Sequence, residues 1–184
     1  MADQTPTTFN LAQILDQQLV RGPARTAVVA GDTRLSYAQP HAMVSQVAGG
    51  LSAMGIGPGD HVSLMCPNLP YFPVAYFGIL KAGAVVVPLN VLLRPREIAY
   101  HLRDSDSRAL LCFEGTPELP MADMAKAGMD VAATCRDLVV MTADPAAVPP
   151  WLACTETPDN GRPYSVTRPL IAPAALATAP VKSM

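Results

Sequence analysis

The chain has 184 residues, of which 50% are hydrophobic and 15% charged. That is enough apolar material for a packed domain and excludes wholesale disorder. A formal net charge of −2 and a pI near 5.8 exclude the basic field that nucleic acid binding requires. The most apolar stretch, Leu69 to Leu93, is broken by Pro70, Pro73, Lys81, Pro88 and Asn90. A membrane span needs roughly 20 uninterrupted apolar residues, so none is expected.

Leu11, Ile14, Leu15 and Leu19 recur at helical spacing and predict a helix over residues 10–21, with Asn10 as N-cap. Gly22-Pro23 ends it. Thr26–Ala30 and Thr33–Leu35 read as two strands around the turn Gly31-Asp32. Ser36 and Gln39 have capping-box spacing before a helix with Met43, Val44, Val47, Leu51 and Met54 on one face. Pro40 falls at the edge of the tolerated first turn, and Gly49-Gly50 permits close packing.

The glycine-rich turn Gly55–Asp60 leads into a strand over His61–Cys66, stopped by Pro67-Asn68. A helix over Pro70–Lys81 closes at Gly83, and Ala84–Val87 is a continuous apolar run of the type buried on both faces of a parallel sheet. A short helix over Pro95–Arg103, a strand over Arg108–Phe113, a helix over 117–127 and a last strand over Asp137–Met141 follow. Strands alternating with helices predict an α/β fold, a mainly parallel sheet with flanking helices.

Beyond Met141 the periodicity ends and prolines recur at 145, 149, 150, 158, 163, 169, 173 and 180. A boundary is expected near residue 142. Residues 143–184 then form a Pro/Ala-rich tail, disordered or produced by a frameshift. The cysteines, Cys66, Cys112, Cys135 and Cys154, include no Cys-x-x-Cys pair and fit reduced thiols in a cytoplasmic protein. The opening Met-Ala-Asp-Gln-Thr-Pro has no basic or apolar region of a secretory signal.

No self-sufficient catalytic motif is present. Gly55-x-Gly57-x-Gly59 misplaces the third glycine of a dinucleotide fingerprint, and no helix follows it directly. No serine sits in a Gly-x-Ser-x-Gly elbow, and His41, His61 and His101 are scattered.

What stands out is an ordered set of phrases. Gly31-Asp32 and Leu35-Ser36-Tyr37 are followed by Leu51-x-x-x-Gly55-Ile56-x-Pro58-Gly59-Asp60 and Cys66-Pro67-Asn68. Next come Tyr76-Phe77-Gly78-Ile79-Leu80-Lys81-Ala82-Gly83-Ala84, Val87-Pro88-Leu89-Asn90, Arg96-Glu97-Ile98 and Tyr100 to Ser105. Over roughly residues 10–141 this series resembles the opening of the fatty-acyl-CoA synthetases of the adenylate-forming, or AMP-binding, superfamily. Coumarate ligases, luciferases and peptide-synthetase adenylation domains belong to the same superfamily.

The resemblance implies that residues 1–142 are the amino-terminal subdomain of the large adenylate-forming domain. It implies a reaction in which a fatty acid and ATP give an acyl-adenylate and pyrophosphate, and coenzyme A takes the acyl group. The full-length family uses ATP, magnesium and coenzyme A. It holds phosphates on a Ser/Thr/Gly-rich loop ending Pro-Lys-Gly, and uses a lysine on a mobile carboxy-terminal domain. Neither is found here: Thr155, Thr157 and Gly161-Arg162-Pro163 lack the glycine run and the lysine. No catalytic, cofactor-binding or metal-binding residue is therefore assigned, and no cofactor is expected for the chain alone.

The expected function is that of a truncated fatty-acid–CoA ligase, incompetent by itself. The alternative is a non-catalytic module that associates with a separately encoded carboxy-terminal synthetase portion. Self-association through exposed apolar surface is expected as well.

Other residues carry two readings. Arg94, Arg96, Arg103 and Arg108 form either a basic surface for an anionic head group or, the favoured reading, a solvated helix face paired with Glu97, Asp104 and Asp106. Asn68 and Asn90 are read as turn residues. Tyr71, Phe72, Tyr76 and Phe77 are read as core ahead of an acyl tunnel lining. His61 is read as an exposed strand edge, and Cys66 and Cys112 as core.

Overall fold

The computed structural model describes residues 9–132 and 134–142, together with the backbone of 165–167. Five helices are described: α1 (Gln13–Arg21), α2 (Ala38–Ala53), α3 (Tyr71–Lys81), α4 (Pro95–Asp104) and α5 (Met121–Ala132). The strands are β1 (Thr26–Ala30), β2 (Thr33–Ser36), β3 (His61–Met65), β4 (Val85–Pro88), β5 (Ser107–Phe113), β6 (Asp137–Met141) and β7 (Ser165–Thr167). The expectations for 143–184 lie outside the described residues except at β7.

Strands β1 and β2 form an antiparallel hairpin, and the others a five-stranded sheet in the order β4-β3-β5-β6-β7. Every pairing in that sheet is parallel. The chain starts in the middle, steps to one edge, then crosses back and builds outward on the other side. With right-handed crossovers this reversal puts α3 on one face and α4 and α5 on the other. The contacts agree: α2 packs on α3, and α4 on α5.

A glycine sits at each helix crossing. A Cβ on Gly78 of α3 would lie 2.4 Å from Val47 Cγ1 of α2. A Cβ on Gly128 of α5 would lie 2.7 Å from Ile98 Cγ2 of α4. Neither crossing has room for a side chain. At Gly49, one of the pair that would permit close packing, nothing lies within 4 Å of a Cβ.

Four elements depart from expectation. Helix α1 starts at Gln13, because Asn10 is used in a turn ahead of it: Asn10 Oδ1 accepts from Ala12 N at 2.9 Å and Asn10 O accepts from Gln13 N at 2.9 Å. Helix α5 starts at Met121, because Thr116 and Leu119 close a turn on each other and Pro120 precedes the first helical residue.

Strand β4 is an edge of the described sheet, half exposed along its length, where its apolar run predicted burial on both faces. Strand β7 was not expected at all, yet Ser165↔Asp137 and Val166↔Leu138 extend the ladder. Its Ser-Val-Thr composition suits a strand, but the run is only three residues long.

Helix α2 starts at Ala38 despite Pro40. Pro40 is its third residue, where a helix has no intrahelical use for the N–H that proline lacks. Gln39 Oε1 accepts from Ser36 N at 2.9 Å, which is half of the predicted capping box.

Candidate functional site

In an open α/β sheet the ligand crevice lies outside the carboxyl ends of the strands, where the strand order reverses. Here that point falls between β3 and β5. Its walls are Cys66-Pro67-Asn68, which leaves β3, and Phe113-Glu114-Gly115, which leaves β5, with Met141-Thr142 alongside. Glu114 N donates to Met141 O at 2.9 Å and joins the last two walls.

Tyr71, the first residue of α3, closes this edge. Its ring centroid lies 5.6 Å from that of Phe113, and its hydroxyl donates to Thr142 O at 3.3 Å. Burial, then Glu114 and Cys66, push the phenol above its ordinary value, so it stays a neutral donor. Burial pushes the Cys66 thiol up to about 12 and holds the Cys112 thiol well above its ordinary value, so neither is a thiolate nucleophile at neutral pH. Thr142 is 1% exposed, and its Oγ1 has no hydrogen-bond partner among the described residues.

Beside this edge lies an open, mostly apolar cleft of about 210 Å³. Val28, Val29 and Ala30 of the hairpin form one side, and Asn68, Pro70 and Phe72 the other. Phe72 stacks on Tyr76 with centroids 5.9 Å apart, and Tyr76 meets Phe77 edge-on at 5.8 Å. These three rings are only partly buried. Of the four aromatic residues read as core, Tyr71 alone is fully so.

The remaining candidates are dispersed. Arg108 lies at the opposite, amino end of the sheet. Its Nη1 donates to Gly55 O at 2.8 Å and to Asp60 Oδ2 at 3.1 Å, while Asp60 Oδ2 also accepts from Gly57 N at 2.8 Å. Arg108 therefore clamps the glycine-rich turn. Arg94, Arg96 and Arg103 are exposed, and Arg103 Nη1 reaches Val131 O at 3.4 Å. Glu97 is used as a cap, accepting from Arg94 N at 2.7 Å.

Asn90 Oδ1 accepts from Leu92 N at 2.9 Å, the turn role predicted for it. His61 is half-buried rather than exposed, and its Nδ1 meets Ser105 O at 2.5 Å. Since a carbonyl only accepts, Nδ1 carries the hydrogen.

The fold also assembles a group that sequence reasoning missed. Asp16, His41 and Lys81, from α1, α2 and α3, converge on one carboxylate oxygen at 2.7 and 3.0 Å. They are 25 to 65 positions apart, and no local pattern marks them.

The described walls of the crevice do not fit a nucleotide triphosphate or its magnesium. Among the described residues they offer neither a cationic side chain nor a run of glycine amides, and the carboxylate they carry is Glu114. Among the described residues no group of three or more His, Cys, Asp and Glu is placed to hold a metal ion. What the described arrangement can do is shape an apolar wall.

Comparison with known proteins identifies the scaffold. The family of AMP-binding enzymes matches residues 15–178. The chain belongs to that family. Relatives that it is similar to within that family include acyl-CoA ligases. It is 35% identical over 132 residues to a long-chain-fatty-acid–CoA ligase of Mycobacterium tuberculosis, covering 71% of this chain and 26% of the relative. It is 42% identical over 96 residues to a feruloyl-CoA synthase of Amycolatopsis, covering 52% and 19%. The N-terminal domain of FACL13 from Mycobacterium tuberculosis superposes with a TM-score of 0.64 at 33% identity, covering 73% of this chain and 34% of that domain. The chain thus spans about a quarter of the first of these relatives and a third of an isolated ligase domain.

Among the described residues no helix is long and apolar enough to cross a membrane.

Proposed function

We propose that this chain is the amino-terminal layer of a fatty-acid–CoA ligase, and that the 184 residues alone do not catalyse the reaction. The observation that carries the reading is the 35% identity kept over 132 residues that make up only 26% of a long-chain ligase. The crevice supports the second half of the proposal, because among the described residues its walls offer no cation for phosphates and no activated nucleophile. ATP, magnesium and coenzyme A belong, on this reading, to an assembled enzyme. The buried, free thiols of Cys66, Cys112 and Cys135 favour a cytoplasmic setting.

The test is fatty-acid-dependent ATP–pyrophosphate exchange by the purified chain. None is expected, since losing even one preorganised donor costs about 10²–10³ in rate. Exchange by clean protein that depends on added fatty acid overturns the reading.

A second reading, a non-catalytic module that joins a separately encoded synthetase portion, is favoured by the uncovered edge. Val85 is 45% exposed within a wholly apolar strand. An apolar edge strand is a template for another chain. Co-purification with the carboxy-terminal three quarters of a long-chain ligase, with exchange restored, supports this module. A monomer that ignores that portion supports the first reading alone.

A further inference from the structure

Helix α1 is fastened to the domain by polar groups rather than by a core of its own. None of its residues is buried. Ala12, just ahead of it, is 3% exposed and Leu15 is partly covered, but Ile14 and Val20 are 38% and 87% exposed. Asn10 Nδ2 donates to Leu80 O at 2.6 Å, and Asp16 Oδ1 accepts from Lys81 Nζ at 3.0 Å, so two tethers end on the last turn of α3. A third joins α2, where His41 Nε2 meets Asp16 Oδ1 at 2.7 Å.

The chemistry of the cluster fixes its protons. A carboxylate only accepts, so His41 Nε2 carries its hydrogen. The 3.4 Å separation between Lys81 Nζ and His41 Nε2 is then a contact between two donors. Asp16 is what makes that contact tolerable. Deleting its charge leaves both donors on a weaker, neutral acceptor and an ammonium facing an N–H.

Exposed pairs of this kind contribute little each, and elements with few buried contacts open locally below the global unfolding free energy. On these grounds we propose that α1 is a hinged arm. It undocks from α2 and α3 as a unit while the parallel sheet stays folded, and the Asp16 clasp sets how often it opens. The hinge is the Gly22–Arg25 turn, closed by Arg25 N donating to Gly22 O at 3.1 Å. Undocking uncovers Ala12, Leu15 and the α2–α3 surface beneath them.

The proposal is tested by hydrogen exchange on the full chain at neutral pH, comparing peptides from 13–21 and 107–113. In the unaltered protein the α1 amides exchange at least about tenfold faster than those of β5. Asp16→Asn and Lys81→Met each speed α1 several-fold further and leave β5 unchanged. Asp130→Asn, which removes the Lys126–Asp130 pair of α5 at 2.9 Å, leaves α1 unchanged. Equal protection of α1 and β5 in the unaltered chain overturns the proposal. So does an α1 rate indifferent to Asp16→Asn, or loss of β5 protection in that variant, which makes the clasp part of the global core.

Discussion

Strands β3 and β5 are buried at almost every position, and the helices that flank the sheet cross at glycines that leave no space for a side chain. By contrast, α1 has no fully buried residue and is held largely by polar tethers, and β4 lies half exposed at the edge of the described sheet. The sheet centre is fixed by apolar area and by shape. The periphery is fixed largely by charge and hydrogen bonds. The two regions therefore answer to different perturbations, volume changes in one and charge changes in the other.

The largest expected effect is a cavity in the centre. Leu111 is 1% exposed in the middle of β5, with Leu64 opposite in β3 and Val139 in β6. Leu111→Ala is expected to cost about 2–5 kcal/mol, read as a fall in the urea midpoint. For a layer that covers only 34% of a relative's domain, that loss is large enough to remove the cooperative transition. A midpoint that hardly moves erases the contrast between centre and periphery.

Next comes shape. Gly128→Val places methyl groups where even a Cβ meets Ile98 Cγ2 at 2.7 Å and Pro95 O at 3.0 Å. Forcing α4 and α5 apart is expected to cost about 1–3 kcal/mol. A pairing of Gly128→Val with Ile98→Ala, which opens space at the same crossing, recovers part of the loss if the clash is the cause.

This division also explains what the sequence could reveal. The buried strands β3, β5 and β6 were legible because runs such as Ala109–Phe113 and Leu138–Met141 have few other uses. The same run at Val85–Val87 misled, because an apolar run reports composition and says nothing of where a strand falls in the sheet order. The start of α5 at Met121 is not legible, because the turn between Thr116 and Leu119 is a tertiary detail with no periodic signature. The crevice residues Tyr71, Phe113 and Thr142 belong to three distant segments, and only the crossovers of the fold bring them together. Glycines were legible as turn markers but not as crossing points: Gly78 and Gly128 proved tight, while Gly49 faces open space.

A smaller effect tests the charge-held periphery at the amino end of the sheet. The Gly57 N–H, then the Arg108 guanidinium, hold the Asp60 carboxyl below its ordinary value. Asp60→Asn keeps the shape, loses the charge, and is expected to cost on the order of 1 kcal/mol at neutral pH. The sign of the pH dependence follows from the depressed value in the folded state. The contribution is fully present above the unfolded carboxyl pKa, roughly 3.9, and is lost as pH falls through the lower folded value. Between pH 5 and about 2 the unaltered chain should therefore lose stability more steeply than Asp60→Asn. Parallel curves would assign the clamp no electrostatic part.

The smallest expected effect lies on the outer side of α1. Val20 is 87% exposed, so replacing it removes almost no buried area, and Val20→Ser should shift stability by no more than about 0.5 kcal/mol. Valine and serine have similar helix propensities, so no compensating change is expected from the backbone. The value of the variant lies in its pairing with Leu111→Ala, since a polar substitution in a helix that helped to build the core costs several times more than this bound. If Val20→Ser lowers the urea midpoint as Gly128→Val does, another surface covers α1 in solution, a second copy of the chain being the simplest. The deficit would then shrink on dilution, because a contact between copies weakens with concentration whereas a contact within one chain does not.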